Sequence, residues 1–209
     1  MTQVATLTPY RLSDGRIGTQ LLERCMAQVA AQDHPHRHIV MPNDYPWAGQ
    51  RYGNHARARN ALQATIPPEY GIWWIDADIV TIPPNTLTEL VRASEALGGA
   101  VVAPMVHIEA AGNQYDGWFY DIGTFCAADG RWAKSIEGLP GESVFEAMRY
   151  VGVGAYVPPG VRAEFAPAGN EIETLSYIDA IARQGVPVYA ARMLRIDHAN
   201  LPAYGLEWH

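Results

Sequence analysis

Four consecutive apolar residues, Ile72-Trp73-Trp74-Ile75, run directly into Asp76-Ala77-Asp78. Alternate side chains of a strand point to opposite faces of its sheet, so an unbroken run of large apolar residues demands cover on both sides. That is the requirement of a central strand in a sheet with helices on each face. Open α/β sheets place their ligands at the C-terminal ends of such strands. The paired carboxylates Asp76 and Asp78 therefore stand where a site is expected. A turn with local capping carboxylates is the alternative, but such a turn does not call for a fully apolar strand feeding it.

The rest of the chain fits that frame. With 209 residues, 48% hydrophobic and 18% charged, it can bury a core without disulfides or metals. A first strand is predicted over Gln3–Thr8, stopping at Pro9, and a second over His38–Met41. Helical spacing of Ile17, Leu21, Leu22, Cys25, Met26 and Val29 predicts an amphipathic helix between them. Further helices are predicted over Ala56–Thr65, from Pro84 to Leu97 and from about Glu171 to Gln184. Ile172, Leu175, Ile178 and Ile181 form the apolar stripe of the last helix. More strands are expected at Ala100–Pro104, Tyr150–Val157, Val186–Ala190 and Leu194–Ile196. The alternation gives an α/β fold, its central sheet predominantly parallel and flanked by helices. A single domain over 1–209 is expected.

Charge and cysteine usage exclude several classes. A net charge of −7 disfavours bulk capture of nucleic acid or anionic membrane. Lys134 is the sole lysine, so a glycine loop with a phosphate-binding lysine is ruled out. Cys25 and Cys126 make no zinc spacing and read as buried thiols. No charged-then-apolar leader opens the sequence and no apolar stretch approaches the ~20 residues of a membrane span. A soluble, cytoplasmic protein is expected.

The chemistry-bearing residues come in an ordered set. Hard carboxylate oxygens at Asp76 and Asp78 suit Mg²⁺ or Mn²⁺, which binds one or two carboxylates together with substrate phosphates. Arg57, Arg59 and Asn60 lie on the helix before that strand, where guanidinium forks match phosphate oxygens; a solvated basic face is the alternative. Glu173 sits on an apolar-striped helix, partly buried, as a candidate general base or as a first-turn acid favoured by the helix dipole. His198 is a metal ligand or a core histidine. Gly152 and Gly154 mark close approach of a sugar or backbone, or a bulge. His34, His36 and His38 read as a solvated entry turn. Signatures of serine hydrolases, zincins and dinucleotide folds are missing.

Ala58-Arg59-Asn60, then Ile72 to Asp78, then Pro83-Pro84 resemble the core of GT-A-type glycosyltransferases, family 2 in particular. Arg57 to Asn60 with Trp74 to Ile79 are closer still to the mannan-polymerase mannosyltransferases of the fungal Golgi. Val102-Ala103-Pro104, Tyr115-Asp116-Gly117-Trp118, Glu173-Thr174 ahead of Gly185, and Ile196-Asp197-His198 continue the likeness over nearly the whole chain. Thr174 replaces the second acid of the commoner Glu-Asp pair. The resemblance implies a GT-A-like, Rossmann-type nucleotide-binding domain, with a nucleotide-sugar-binding half of about 1–104 and an acceptor-side half of about 105–209. It implies a metal-dependent transferase moving a sugar from a UDP- or GDP-sugar to an acceptor hydroxyl. Thr8, Pro9, Tyr10 and Arg11 would line the nucleoside pocket with Asn43 and Asp44; Arg59 and Asn60 would hold the nucleotide, with Arg57 at the phosphates. Asp76 would meet ribose or metal, Asp78 the metal, and His198 the metal or diphosphate. Glu173 would act as the catalytic carboxylate. Asp116, Trp118 and Gly152 would bind substrate, the acceptor being a glycan, a small molecule or a hydroxymethylated DNA base. A sugar-phosphate nucleotidyltransferase and a non-catalytic nucleotide- or carbohydrate-binding module are the other readings.

Overall fold

The computed structural model describes residues 1–10, 15–42, 51–109, 125–127, 145–168 and 172–200. Along the chain they form β1 (Val4–Tyr10), α1 (Gly15–Ala30), β2 (His36–Pro42), α2 (Arg51–Ala64), β3 (Gly71–Trp74) and β4 (Ile79–Thr81). Then come α3 (Thr86–Ala96), β5 (Val101–Ile108), β6 (Phe125–Ala127), β7 (Phe145–Val151), β8 (Tyr156–Val157), α4 (Glu173–Ala182) and β9 (Val188–His198). The strands make one sheet in the order β2-β1-β3-β8-β5-β9-β7-β6, with β4 paired to β9 at the side. The long ladders, β2-β1-β3 and β5-β9, are parallel, and the antiparallel joins are short. This is a mixed α/β architecture with a mostly parallel central sheet flanked by helices, as the sequence pattern predicts. No helix among the described residues is long and apolar enough to cross a membrane.

The apolar run lies where its composition requires. Ile72, Trp73, Trp74 and Ile75 are all buried, in one core cluster that also takes Val4, Leu7, Leu62, Leu90, Val102 and Ile196. On α1, Leu21, Cys25 and Val29 recur every four residues and are buried. Gly98 and Gly99, with φ of 74° and 87°, close α3, and Gly185 at 81° follows α4.

Helix α2 starts earlier than expected, at Arg51, β5 runs on to Ile108, and β4 is a strand not expected from the sequence. Three further departures have a clear physical cause. β1 runs through Pro9 to Tyr10, because β3 pairs only with Val4 to Leu7 and the missing Pro9 N–H interrupts no ladder on that side. The expected Tyr150–Val157 strand is two strands, β7 and β8, parted at Gly154, whose φ of 75° no extended strand accommodates. The two expected closing strands are one, β9, with its register against β5 shifting between Ala191 and Arg195.

Candidate active site

Beyond β3 the chain turns, the Ile79 N–H donating to the Asp76 carbonyl at 3.2 Å. Helix α1 supports the turn from below, with the Cys25 thiol donating to the same carbonyl at 3.4 Å. Burial pushes the Cys25 thiol well up, and the neighbouring Asp78 and Asp76 add to that, so it stays protonated as a packing group. Gln28 of α1 and Gln32 just beyond it hold the following turn, accepting from the Ile82 and Leu87 N–H groups at 3.1 and 3.0 Å. After the turn, β4 pairs with the end of β9, Ile79 opposite His198, and the Ala199 N–H donates to the Asp78 carbonyl at 2.8 Å. β5 flanks the other side of that end, Ile108 opposite His198. This three-way junction brings Asp78 and His198 together from distant parts of the sequence.

Their side chains meet: His198 Nε2 lies 3.1 Å from Asp78 Oδ2, and His198 Nδ1 lies 2.8 Å from the Ala199 carbonyl oxygen. With Nδ1 donating to that carbonyl, Nε2 either carries a second proton or turns its lone pair on a carboxylate. The second arrangement needs a proton on the carboxyl group or a cation between them. Burial alone would raise the Asp78 carboxyl, but the charge and hydrogen bond of His198, with Arg59 farther off, hold it below the usual carboxylate range. Asp78 Oδ1 is buried and has no hydrogen-bond partner. An orphaned carboxylate oxygen beside an imidazole fits a hard divalent cation that completes its shell with substrate oxygens. Among the described residues no three His, Cys, Asp or Glu side chains gather closely enough to hold a metal by themselves.

Asp76 points elsewhere. Its Oδ1 accepts from Arg59 Nη2 at 2.8 Å, while Arg59 Nε donates to Glu173 Oε1 at 3.2 Å. Arg59 is 5% exposed and Glu173 6%, so this is an internal bridge between two carboxylates. The guanidinium lies over the Trp74 ring at 5.4 Å and the Phe165 ring at 5.7 Å. Burial works against the Arg59 charge, but Asp76 and Glu173 outweigh it and keep the group a firm cation.

The remaining predicted residues are placed unevenly. Thr8 is buried on β1, sharing a hydrogen bond with His38 Nε2 at 2.9 Å; Pro9 and the half-buried Tyr10 end that strand. Arg57 is exposed on α2. Asn60 clasps the Phe165 backbone, donating to its carbonyl and accepting from its N–H, both at 2.9 Å. Thus Arg59 and Asn60, expected to hold nucleotide, use these groups within the protein. Gly152 is buried beside a small hollow also lined by Trp74, Phe165, Thr174 and Tyr177. Gly154 serves packing, since a Cβ there would lie 2.8 Å from Ile196 Cδ1 and 3.0 Å from Pro104 Cγ. Arg11, Asn43, Asp44, Asp116 and Trp118 lie outside the described residues, as do Tyr115, Phe119, Tyr120 and Trp132.

Sequence reasoning missed Phe165 and Tyr150. Phe165 stacks on Tyr177, ring centroids 3.9 Å apart, and meets Trp74 edge-on at 5.2 Å. Tyr150 shares a hydrogen bond with Thr174, and its phenol is pushed well up by burial. Phe165 sits in a stretch without periodicity, so only its aromatic character among Pro, Gly and Ala could have marked it.

No protein-family model and no curated protein matches the chain. Solved structures do. The chain is similar to TarS of S. aureus, at 12% identity and a TM-score of 0.52 over 96% of its length and 37% of that chain. Against S. aureus TarS 1–349 the values are 10% and 0.53, over 98% of this chain and 62% of that one. The chain therefore spans less than two thirds of either neighbour. At such identity the likeness shows the fold alone, a mixed α/β fold with a mostly parallel central sheet flanked by helices.

Proposed function

We propose that the protein is a glycosyltransferase that uses a nucleotide-diphosphate sugar and a divalent cation, Mn²⁺ or Mg²⁺. The observation that carries this reading is the Asp78–His198 pair at the β4–β9 junction, with Asp78 Oδ1 buried and unpartnered. The mixed α/β fold, which the GT-A resemblance implies, supports it. Asp78 and His198 would hold the metal, with diphosphate oxygens filling its remaining positions. When bound, the metal supplies Lewis-acid neutralisation of the leaving diphosphate.

The chain's own residues do the rest. Thr8 and Tyr10, at the end of β1, would border the nucleoside, and Asp76, braced by Arg59, would face ribose or metal from the β3 end. The bond from the anomeric carbon to the diphosphate oxygen breaks, its electron pair leaving on the diphosphate. The acceptor oxygen bonds to that carbon and gives up its proton. In an inverting reaction Glu173 would take the proton; in a retaining one it would position or stabilise. Within the GT-A class, the ordered motifs favour kinship with the mannan-polymerase mannosyltransferases. The acceptor would be a glycan, a small molecule or a hydroxymethylated DNA base.

Thermal shift with a panel of UDP- and GDP-sugars, with Mn²⁺ and with chelator, tests the reading. One donor is expected to raise Tm only with metal, and to be hydrolysed slowly or transferred. Stabilisation by a donor indifferent to chelator removes the metal premise. Nucleotide binding without any donor turnover favours a non-catalytic binding module.

A further inference from the structure

We infer that Arg59 is a positioning residue that bridges Asp76 to Glu173, so that the donor-side and acceptor-side carboxylates are held in one register. The inference rests on the glycosyltransferase reading above. Asp76 belongs to the turn after β3 and Glu173 to the first turn of α4, and neither element carries the other. One guanidinium on α2 spans the two, its Nη2 on Asp76 at 2.8 Å and its Nε on Glu173 at 3.2 Å. Only a planar fork with donors on separate edges does this; an ammonium is a single point charge. The fork itself rests against the edge-on pair of Trp74 and Phe165 rings. Asn60, next in sequence, clasps the Phe165 backbone, so the same helix sets both the bridge and one wall of its cage. On this inference Arg59 acts one step back from the substrate, through the two carboxylates.

The test uses the full chain and the variants R59K, R59A, R59M and E173Q. With the donor identified by thermal shift, R59K and R59A should each lose roughly 10²-fold or more in kcat, as expected when a group is displaced by about an ångström. Donor KM should rise no further than it does in Asp76→Ala, made alongside, because Arg59 reaches the donor only through that carboxylate. Added guanidinium should restore turnover to R59A, whose cavity is open, and not to R59K. Wild-type kcat in R59K overturns the bridge, and so does a tenfold rise in donor KM at unchanged kcat, which would make Arg59 a nucleotide ligand. A second readout needs no activity. E173Q should lower Tm in the wild-type background and raise it in R59M, where the unneutralised carboxylate is the liability. If the wild-type protein neither binds nor turns over any donor, the glycosyltransferase reading falls. The bridge then stands or falls on that sign reversal, an effect of one sign in both backgrounds overturning it.

Discussion

Burial of the His38 imidazole, helped by the neighbouring His36, pushes its pKa down to about 4 from an ordinary 6.5. It shares its Nε2 with Thr8 Oγ1 in the neutral form. A base whose pKa is depressed by folding contributes nothing above the unfolded value, because it is neutral in both states. Below about 6.5 the unfolded chain takes the proton and the folded chain resists. Stability should therefore fall as the pH drops from about 6.5 towards about 4. The urea midpoint at pH 7 and pH 5 should drop more in the wild type than in His38→Gln, and equal drops would refute the assignment. At the metal pair the expectation is different. Asp78→Ala and His198→Ala should each abolish the Mn²⁺-dependent Tm rise with nucleoside diphosphate. Asp78 is on a strand-end turn and its side chain is 29% exposed, so the metal-free protein should remain folded. Retention of full metal-dependent binding by both variants would remove these two residues from the site.

Between elements, the segment 161–168 carries no regular structure, and its anchorage comes from its neighbours. Asn60 fills both hydrogen-bonding valences of Phe165, Gln63 donates to the Ala163 carbonyl at 2.7 Å, and Ser176 of α4 accepts from the Ala166 N–H at 3.1 Å. Asn60→Ala leaves the buried Phe165 backbone groups without partners. It should cost about 2–3 kcal/mol, measured by urea denaturation. A loss below about 0.5 kcal/mol would mean that the segment is held by stacking alone. Helix α4 shows where legibility ran out. Its apolar residues mark a stripe at Ile172, Leu175, Ile178 and Ile181, yet the buried face is Glu173, Tyr177, Ile178 and Ile181. A carboxylate reads as a polar face in any periodicity argument. It is buried here only because a guanidinium from α2 meets it, and no local pattern carries that. The Asp76 to Asp78 turn was legible for the opposite reason, because the strand feeding it is apolar without interruption. Its division of labour, Asp76 to Arg59 and Asp78 to His198, depends on partners that the sequence leaves unassigned.

Across the whole molecule, the sheet is two parallel blocks, β2-β1-β3 and β5-β9, joined by the two-residue strand β8. The blocks follow from alternating apolar runs and amphipathic helices, so their existence was readable. The joint was not, since a two-residue antiparallel strand has no period to detect. What fixes it is close packing. Tyr156 of β8 lies so near Gly71 that a Cβ there would sit 2.7 Å from its Cε2. The Trp73 indole N–H donates to the Gly154 carbonyl at 2.9 Å. Gly154 itself turns the chain from β7 into β8 with a positive φ, its Cα facing Ile196 and Pro104 from the other block. Gly154→Ala therefore meets two penalties at once, a left-handed backbone and a methyl pressed on Ile196. Together they should cost about 2–4 kcal/mol. Because β8 touches both blocks, the loss should appear in a single unfolding transition with its slope unchanged, not in early release of one half. Urea denaturation followed by far-UV circular dichroism and by tryptophan fluorescence separates these cases. Coincident curves shifted to lower midpoint support β8 as the joint of one cooperative unit. A first phase seen by only one probe, or an unshifted midpoint, would show that the blocks hold together without it.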